Sequence, residues 1–148
     1  MYWQPPEESK GKIVARAPDT DRTLFFDFLP LDLGTISGFA TRFQLYTVPG
    51  QVYYAATRKL VLQGVDGVVF VADSQSRQLA ENIESLQDLH ANLADEGLDP
   101  RTLPLVMQYN KRDLPAAEIS TIEELDEVLN FRAVPSFSAN AINGGGVF

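Results

Sequence analysis

The sequence predicts an α/β protein with a mostly parallel sheet and an antiparallel hairpin at its edge. Three observations carry this. Residues 65–72 and 103–109 are nearly continuous apolar runs, as strands covered on both faces are. Between them Leu79, Ile83, Leu86, Leu89 and Leu93 recur at intervals of three or four, one stripe of a helix over residues 77–96. Upstream, residues 24–29 are dense in aromatics and residues 41–48 alternate, which reads as two antiparallel strands.

In chain order, residues 12–15 (Lys-Ile-Val-Ala) form a short strand candidate that Pro18 ends. Leu24-Phe25-Phe26-Asp27-Phe28-Leu29 is the next strand. The stretch from Leu33 to Gly38, with two glycines, links it to residues 41–48. There Phe43 and Leu45 point one way and Arg42, Gln44 and Tyr46 the other, the period of a half-buried strand. Pro49-Gly50 breaks that strand, because proline lacks an N–H and glycine reaches angles other residues avoid. Gln51 is left on the exposed turn ahead of residues 52–62, which could be helical. In the long helix, Glu81, Glu84, Asp88 and Asp95 fall largely off the leucine stripe. His90 also lies off it and reads as a surface residue. Thr121-Ile122-Glu123-Glu124 is a capping box opening a helix with Ile122, Leu125 and Val128 inward. Residues 133–138 give a last short strand. Strands and helices alternating at this spacing imply right-handed crossovers and a parallel sheet.

Composition removes several classes of function. The 148 residues carry 12 Lys and Arg against 20 Asp and Glu, a net charge of -8. That balance disfavours nucleic acid and anionic membrane surfaces, which are bound by clustered cations. There is no cysteine, so disulfides and thiolate metal sites are out. No apolar run reaches the roughly 18 residues of a membrane span and no signal peptide is visible, so a cytoplasmic protein is the expectation.

Ligands of parallel sheets sit at the carboxyl ends of the strands. Three polar clusters fall there: Val48 to Gln51, Asn110 to Asp113, and Ser138-Ala139. A glycine N–H and a glutamine amide where a strand gives way to a loop suit a phosphate sensor with a water-orienting group. Asn110-Lys111-Arg112-Asp113 is the sharpest motif. A carboxylate accepts two hydrogen bonds side by side, which matches the N–H and amino pair on a guanine edge. Asn can bridge the base to neighbouring loops, and the Lys stem can lie flat over a ring. Each cluster alone would also pass for an ordinary polar turn; their shared position raises them above that.

Four stretches resemble one family: residues 21–30, 46–51, 64–74 and 110–115 are similar to the MglA-type bacterial Ras-like small GTPases of cell polarity and gliding motility. The likeness runs from about Lys10 to the C-terminus. Thr47 stands where Ras-like proteins generally have Asp, itself an MglA-type feature. The resemblance implies a Ras-like P-loop NTPase core that binds GTP or GDP with Mg²⁺. It makes Thr23 the first-switch threonine that meets Mg²⁺ and the γ-phosphate. Arg22 becomes the built-in arginine that stabilises charge on the transferring phosphoryl group. Gln51 would position the attacking water and Gly50 would sense the γ-phosphate. Asn110, Lys111 and Asp113 would read guanine, with Ser138 and Ala139 supporting the base. The partner it implies is an MglB-like roadblock-fold dimer that stimulates hydrolysis.

The sequence also departs from the family. No Gly-x-x-x-x-Gly-Lys-Ser/Thr occurs: the one Gly-Lys pair, Gly11-Lys12, is followed by Ile13. The expectation is therefore a single incomplete small-GTPase domain, residues 1–148, with the first strand, the P-loop and the last helix missing. Two charge-assisted bonds to guanine contribute roughly 1.5–3 kcal/mol each, against an association entropy of roughly 4–15 kcal/mol. On that arithmetic this polypeptide alone binds GTP no better than about millimolar and hydrolyses none. The competing reading is a nucleotide-independent interaction module that keeps the switch surface for a roadblock-type partner. Retention of Arg22, Thr23 and Gln51 speaks for the enzyme.

Overall fold

The computed structural model describes residues 14–15, 27–48 and 55–147, and the chain divides into two compact units, residues 1–61 and 62–148.

In the first unit, β1 (Val14–Ala15), β2 (Asp27–Ile36) and β3 (Phe39–Thr47) form an antiparallel sheet in the order β1-β2-β3. The predicted hairpin is present but its link is shorter than expected. Residues 33–36 belong to β2, and the turn is Ser37-Gly38 alone, at φ 51° and 87°. Two positive φ angles give the tight turn whose twist matches that of the strands. The extra length of β2 is absorbed by a bulge between Asp32 and Thr35, where Gly34 (φ 68°) donates its N–H to Asp32 Oδ1 at 2.9 Å. Phe43 and Leu45 share a face with their cross-strand partners Leu31 and Leu29. On the other face the Phe28 and Tyr46 rings lie 4.9 Å apart. The alternation is as read, yet Phe43 and Leu45 are exposed rather than half-buried. Helix α1 (Ala55–Leu62) ends this part of the chain.

The second unit holds the core. Strands β4 (Val68–Asp73), β5 (Leu105–Asn110) and β6 (Ser136–Ser138) pair in parallel, in the order β4-β5-β6. Helices α2 (Leu79–Asp95) and α3 (Ile122–Leu129) supply the crossovers. Phe70, Ala72, Met107, Tyr109, Leu86, Leu125 and Leu129 form one buried cluster, with Leu79, Ile83, Leu89 and Ile122 packed against it. Both helices therefore cover the same side of the sheet. That corrects one expectation: β4 is not covered twice, since Val69 and Val71 on its other face are 52% and 53% exposed. A second correction concerns α3, where Leu129 takes the inward position expected of Val128, which is exposed. The leucine falls a full turn beyond Leu125 and reaches the sheet. The capping box forms as read: Glu124 N–H donates to Thr121 Oγ1 at 3.1 Å, and Thr121 N–H to Glu124 Oε2 at 2.8 Å.

His90 is half-buried, not the open surface residue expected. Its Nε2 is buried without a hydrogen-bond partner among the described residues, in a hollow lined by Val68, Leu89, Leu93, Leu103 and Leu105. Its ring stands edge-on to Phe131 at 5.3 Å. Arg132 closes the hollow, its guanidinium donating to the carbonyls of Pro100 and Leu103 at 2.8 and 2.9 Å. Burial, and secondarily the charge of Arg132, hold the imidazole below its ordinary pKa.

A polar network ties β5, α3 and β6 together beneath the rim. Tyr109 donates its hydroxyl to Asp126 Oδ1 at 2.6 Å. Asn130 Nδ2 donates to the same oxygen at 2.9 Å, and Ser136 Oγ to Asp126 Oδ2 at 3.2 Å. Burial alone would raise the Asp126 carboxyl, but the bonds from Tyr109, Asn130 and Ser136 outweigh it and hold the group below the usual range. Burial, then the hydrogen bond and charge of Asp126, push the Tyr109 hydroxyl up.

Two outcomes follow for stability. Tyr109→Phe should lose about 1–2 kcal/mol at pH 7 in urea titration. Because the folded Asp126 pKa is depressed, that stabilisation is present above the unfolded value and is lost as pH falls through the folded one. The deficit should therefore shrink below about pH 4. His90 is the only histidine, and its depressed folded pKa means that stability is full above about pH 6.5 and declines below it. Urea midpoints should fall between pH 7.5 and 5.5 in the unaltered chain and hold steadier in His90→Gln.

Candidate functional site

The parallel ladder stops at one level. Register pairs Asp73 with Asn110 and Tyr109 with Ser138, so the loops after β4, β5 and β6 leave the sheet side by side. Backbone bonds then lace them together. Ser74 N–H donates to the Asn110 carbonyl at 3.0 Å, Ala139 N–H to the Tyr109 carbonyl at 2.8 Å, and Arg112 N–H to the Ala139 carbonyl at 3.1 Å.

Within this rim each side chain of the predicted motif has a distinct setting. Asn110 accepts the Ala141 N–H on Oδ1 at 3.0 Å, so its amide spans from the β5 loop to the β6 loop. Lys111 adopts φ 65°, the left-handed region that a side chain enters only at a conformational cost. Its Nζ lies 2.6 Å from Asp73 Oδ2. Arg112 turns away and donates to the Ser120 carbonyl at 2.6 Å. Asp113 is exposed and its carboxylate has no hydrogen-bond partner among the described residues, which leaves its acceptor sites open to a ligand.

Ser138 is exposed and Ala139 buried. Both backbone groups of Ala139 are engaged inside the rim, so its contribution is to fix the loop rather than to offer a donor. Behind it runs the tail: Gln108 Nε2 donates to the Gly146 carbonyl at 2.9 Å. Gly146 sits at φ 69°, and a Cβ there would collide with the Ser138 carbonyl oxygen and lie 3.0 Å from Ala139 Cα.

The structure thus brings together Asn110, Lys111, Asp113, Ser138 and Ala139. The other four candidates, Arg22, Thr23, Gly50 and Gln51, lie outside the described residues. Among the described residues no group of three or more His, Asp or Glu side chains gathers to hold a metal. Motif reading did not assign a role to Asp73, Gln75 or Asn82. Asp73 Oδ1 accepts the Gln75 N–H at 3.0 Å and Oδ2 accepts Gln75 Nε2 at 3.1 Å. Asn82 clips the Asp73 backbone from α2, accepting its N–H at 3.1 Å and donating to its carbonyl at 2.8 Å. Burial would raise the Asp73 carboxyl, but the Lys111 bond and charge and the two Gln75 bonds together hold it below the usual range. The signal was available in the position of Asp73, a carboxylate closing an apolar strand at the same level as Asn110.

Comparison with known proteins gives the family. A model of the ADP-ribosylation factor family (Arf) matches residues 30–147. The chain is also 57% identical over 148 residues to the mutual gliding-motility protein MglA of Myxococcus xanthus (strain DK1622), across 100% of this chain and 75% of that protein. These matches put the chain in the ADP-ribosylation factor family of Ras-like, guanine-nucleotide-binding small GTPases, in its MglA-type branch.

Proposed function

We propose that this chain belongs to a GTP-hydrolysing switch of the MglA type, acting in cell polarity and gliding motility. The observation that supports it most is Asp113: an exposed, unpartnered carboxylate on a loop whose neighbours are tied down on both sides. Its two oxygens would accept the N1–H and the 2-amino group of guanine, while the Lys111 stem lies over the ring. Asn110 keeps the β5 and β6 loops in one arrangement, and Ser138-Ala139 backs the base from the β6 side.

In this reading hydrolysis rests on the first unit. Gln51 orients the attacking water, Gly50 registers the γ-phosphate, and Arg22 offsets negative charge as the phosphoryl group transfers. Thr23 would be the ligand to Mg²⁺. Among the described residues no group of three or more His, Asp or Glu side chains gathers for that ion. The MglA likeness adds a roadblock-fold, MglB-like dimer as the partner that brings these residues into line.

The base-reading assignment is open to direct test by nucleotide titration followed by NMR on the 148-residue chain. GDP should perturb residues 110–113 with an affinity near millimolar, and ADP should not, because adenine lacks the paired donors. Asp113→Asn replaces one acceptor by a donor, which mismatches guanine but matches the 2-oxo and N1–H edge of xanthine. GDP binding should weaken about 10- to 100-fold and fade from the titration, while xanthosine diphosphate gains it. Unchanged GDP binding in Asp113→Asn would remove the assignment.

A further inference from the structure

We propose that Asp73 is a positioning residue for the nucleotide: it tethers the Lys111 ammonium so that the lysine stem is already laid across the rim where the base would stack. This rests on the reading of the β5 loop as the base-recognition loop and deepens it.

Asp73 is held by partners other than the lysine. Both backbone groups of Asp73 are clipped by the Asn82 side chain from α2, at 3.1 and 2.8 Å. Asn82 is itself 7% exposed, so the clip is sheltered from water. The carboxylate is then oriented by the backbone and side-chain N–H groups of Gln75, at 3.0 and 3.1 Å. Gln75 thus takes one acceptor site on each carboxylate oxygen, and the Lys111 ammonium meets Oδ2 beside it at 2.6 Å.

Tying down the far end of a lysine changes what the residue offers. A free lysine distributes its stem over many rotamers, and ordering it on binding lowers affinity. With the ammonium fixed, that ordering happens at folding. The charge is neutralised by Asp73, so the surface offered to a ligand is the alkyl stem, with the side chain 48% exposed. The backbone agrees: Lys111 keeps φ 65°, where glycine would be relaxed, which implies that a long side chain at this point is worth the strain. A structural ion pair would need neither the left-handed backbone nor the position beside Asp113.

The test uses the full chain and two independent readouts. The first needs no nucleotide. NMR relaxation of the Lys111 ε-methylene should report a restricted side chain in the unaltered protein and a freed one in Asp73→Asn; equal mobility in both overturns the proposal. The second is a double-mutant cycle on nucleotide binding. Asp73→Asn should weaken GDP binding about three- to tenfold. In Lys111→Met, which keeps a stem but no ammonium, the same change should have little further effect. An equal loss in both backgrounds means that Asp73 acts other than through Lys111. Base choice separates this result from the base-reading assignment itself. Asp73→Asn should leave the preference for guanine over xanthine where it was, whereas Asp113→Asn reverses it. Melting temperatures of all variants check that none of the losses reflects unfolding.

Discussion

The constraint on which the second unit depends is the double pairing of β5. This strand is hydrogen-bonded along one edge to β4 over six register pairs and along the other to β6 over three. Met107 and Tyr109 within it are fully buried. A parallel ladder has evenly spaced bonds and no freedom to slip without turning its apolar face to water. The loops that follow the strands are therefore delivered to one level, and polar residues far apart in sequence become neighbours without having to attract one another. The helices only complete what the ladder begins, closing over Phe70, Ala72, Met107 and Tyr109 from one side.

Stiffness at the rim comes from polar groups satisfied in pairs. Asp126 sits one layer below the loops and is met by β5, α3 and β6 through Tyr109, Asn130 and Ser136. Asp73 does the comparable work one strand over, receiving Gln75 and Lys111. Each carboxylate is partly removed from water, and each is kept charged by the donors around it. Partial burial of a fully bonded charge strengthens directional contacts, so these two groups fix geometry as well as contribute to stability.

Much of this was legible in the sequence because it rests on periodicity. The leucine stripe of α2, the capping box of α3 and the apolar runs of β4 and β5 each state their own conformation. The Asn110 to Asp113 motif was read at the end of a buried strand, and it stands there. What escaped was set by distant partners. Val69 and Val71 read as buried because an apolar run does not say how many of its faces are covered. Val128 and Leu129 are both apolar, and only the seat of α3 on the sheet decides between them. His90 looked exposed because its hollow is completed by Leu103, Leu105 and Arg132, none of them near it in the chain. The tether on Lys111 was hidden for the same reason, since Asp73 lies 38 residues away.

Gly146 ties the end of the described chain to the rim. Its Cα crosses so close behind the β6 loop that a hydrogen is the largest substituent the crossing admits, and its carbonyl is held by Gln108. The returning segment thus acts as a backstop, with the Ser138 peptide resting on it. The shape of the β6 loop then depends on the number of residues between the two as much as on their identities. Lengthening or shortening the Asn140 to Gly145 turn would displace that support and distort Ser138-Ala139, with every side chain of the loop left unchanged.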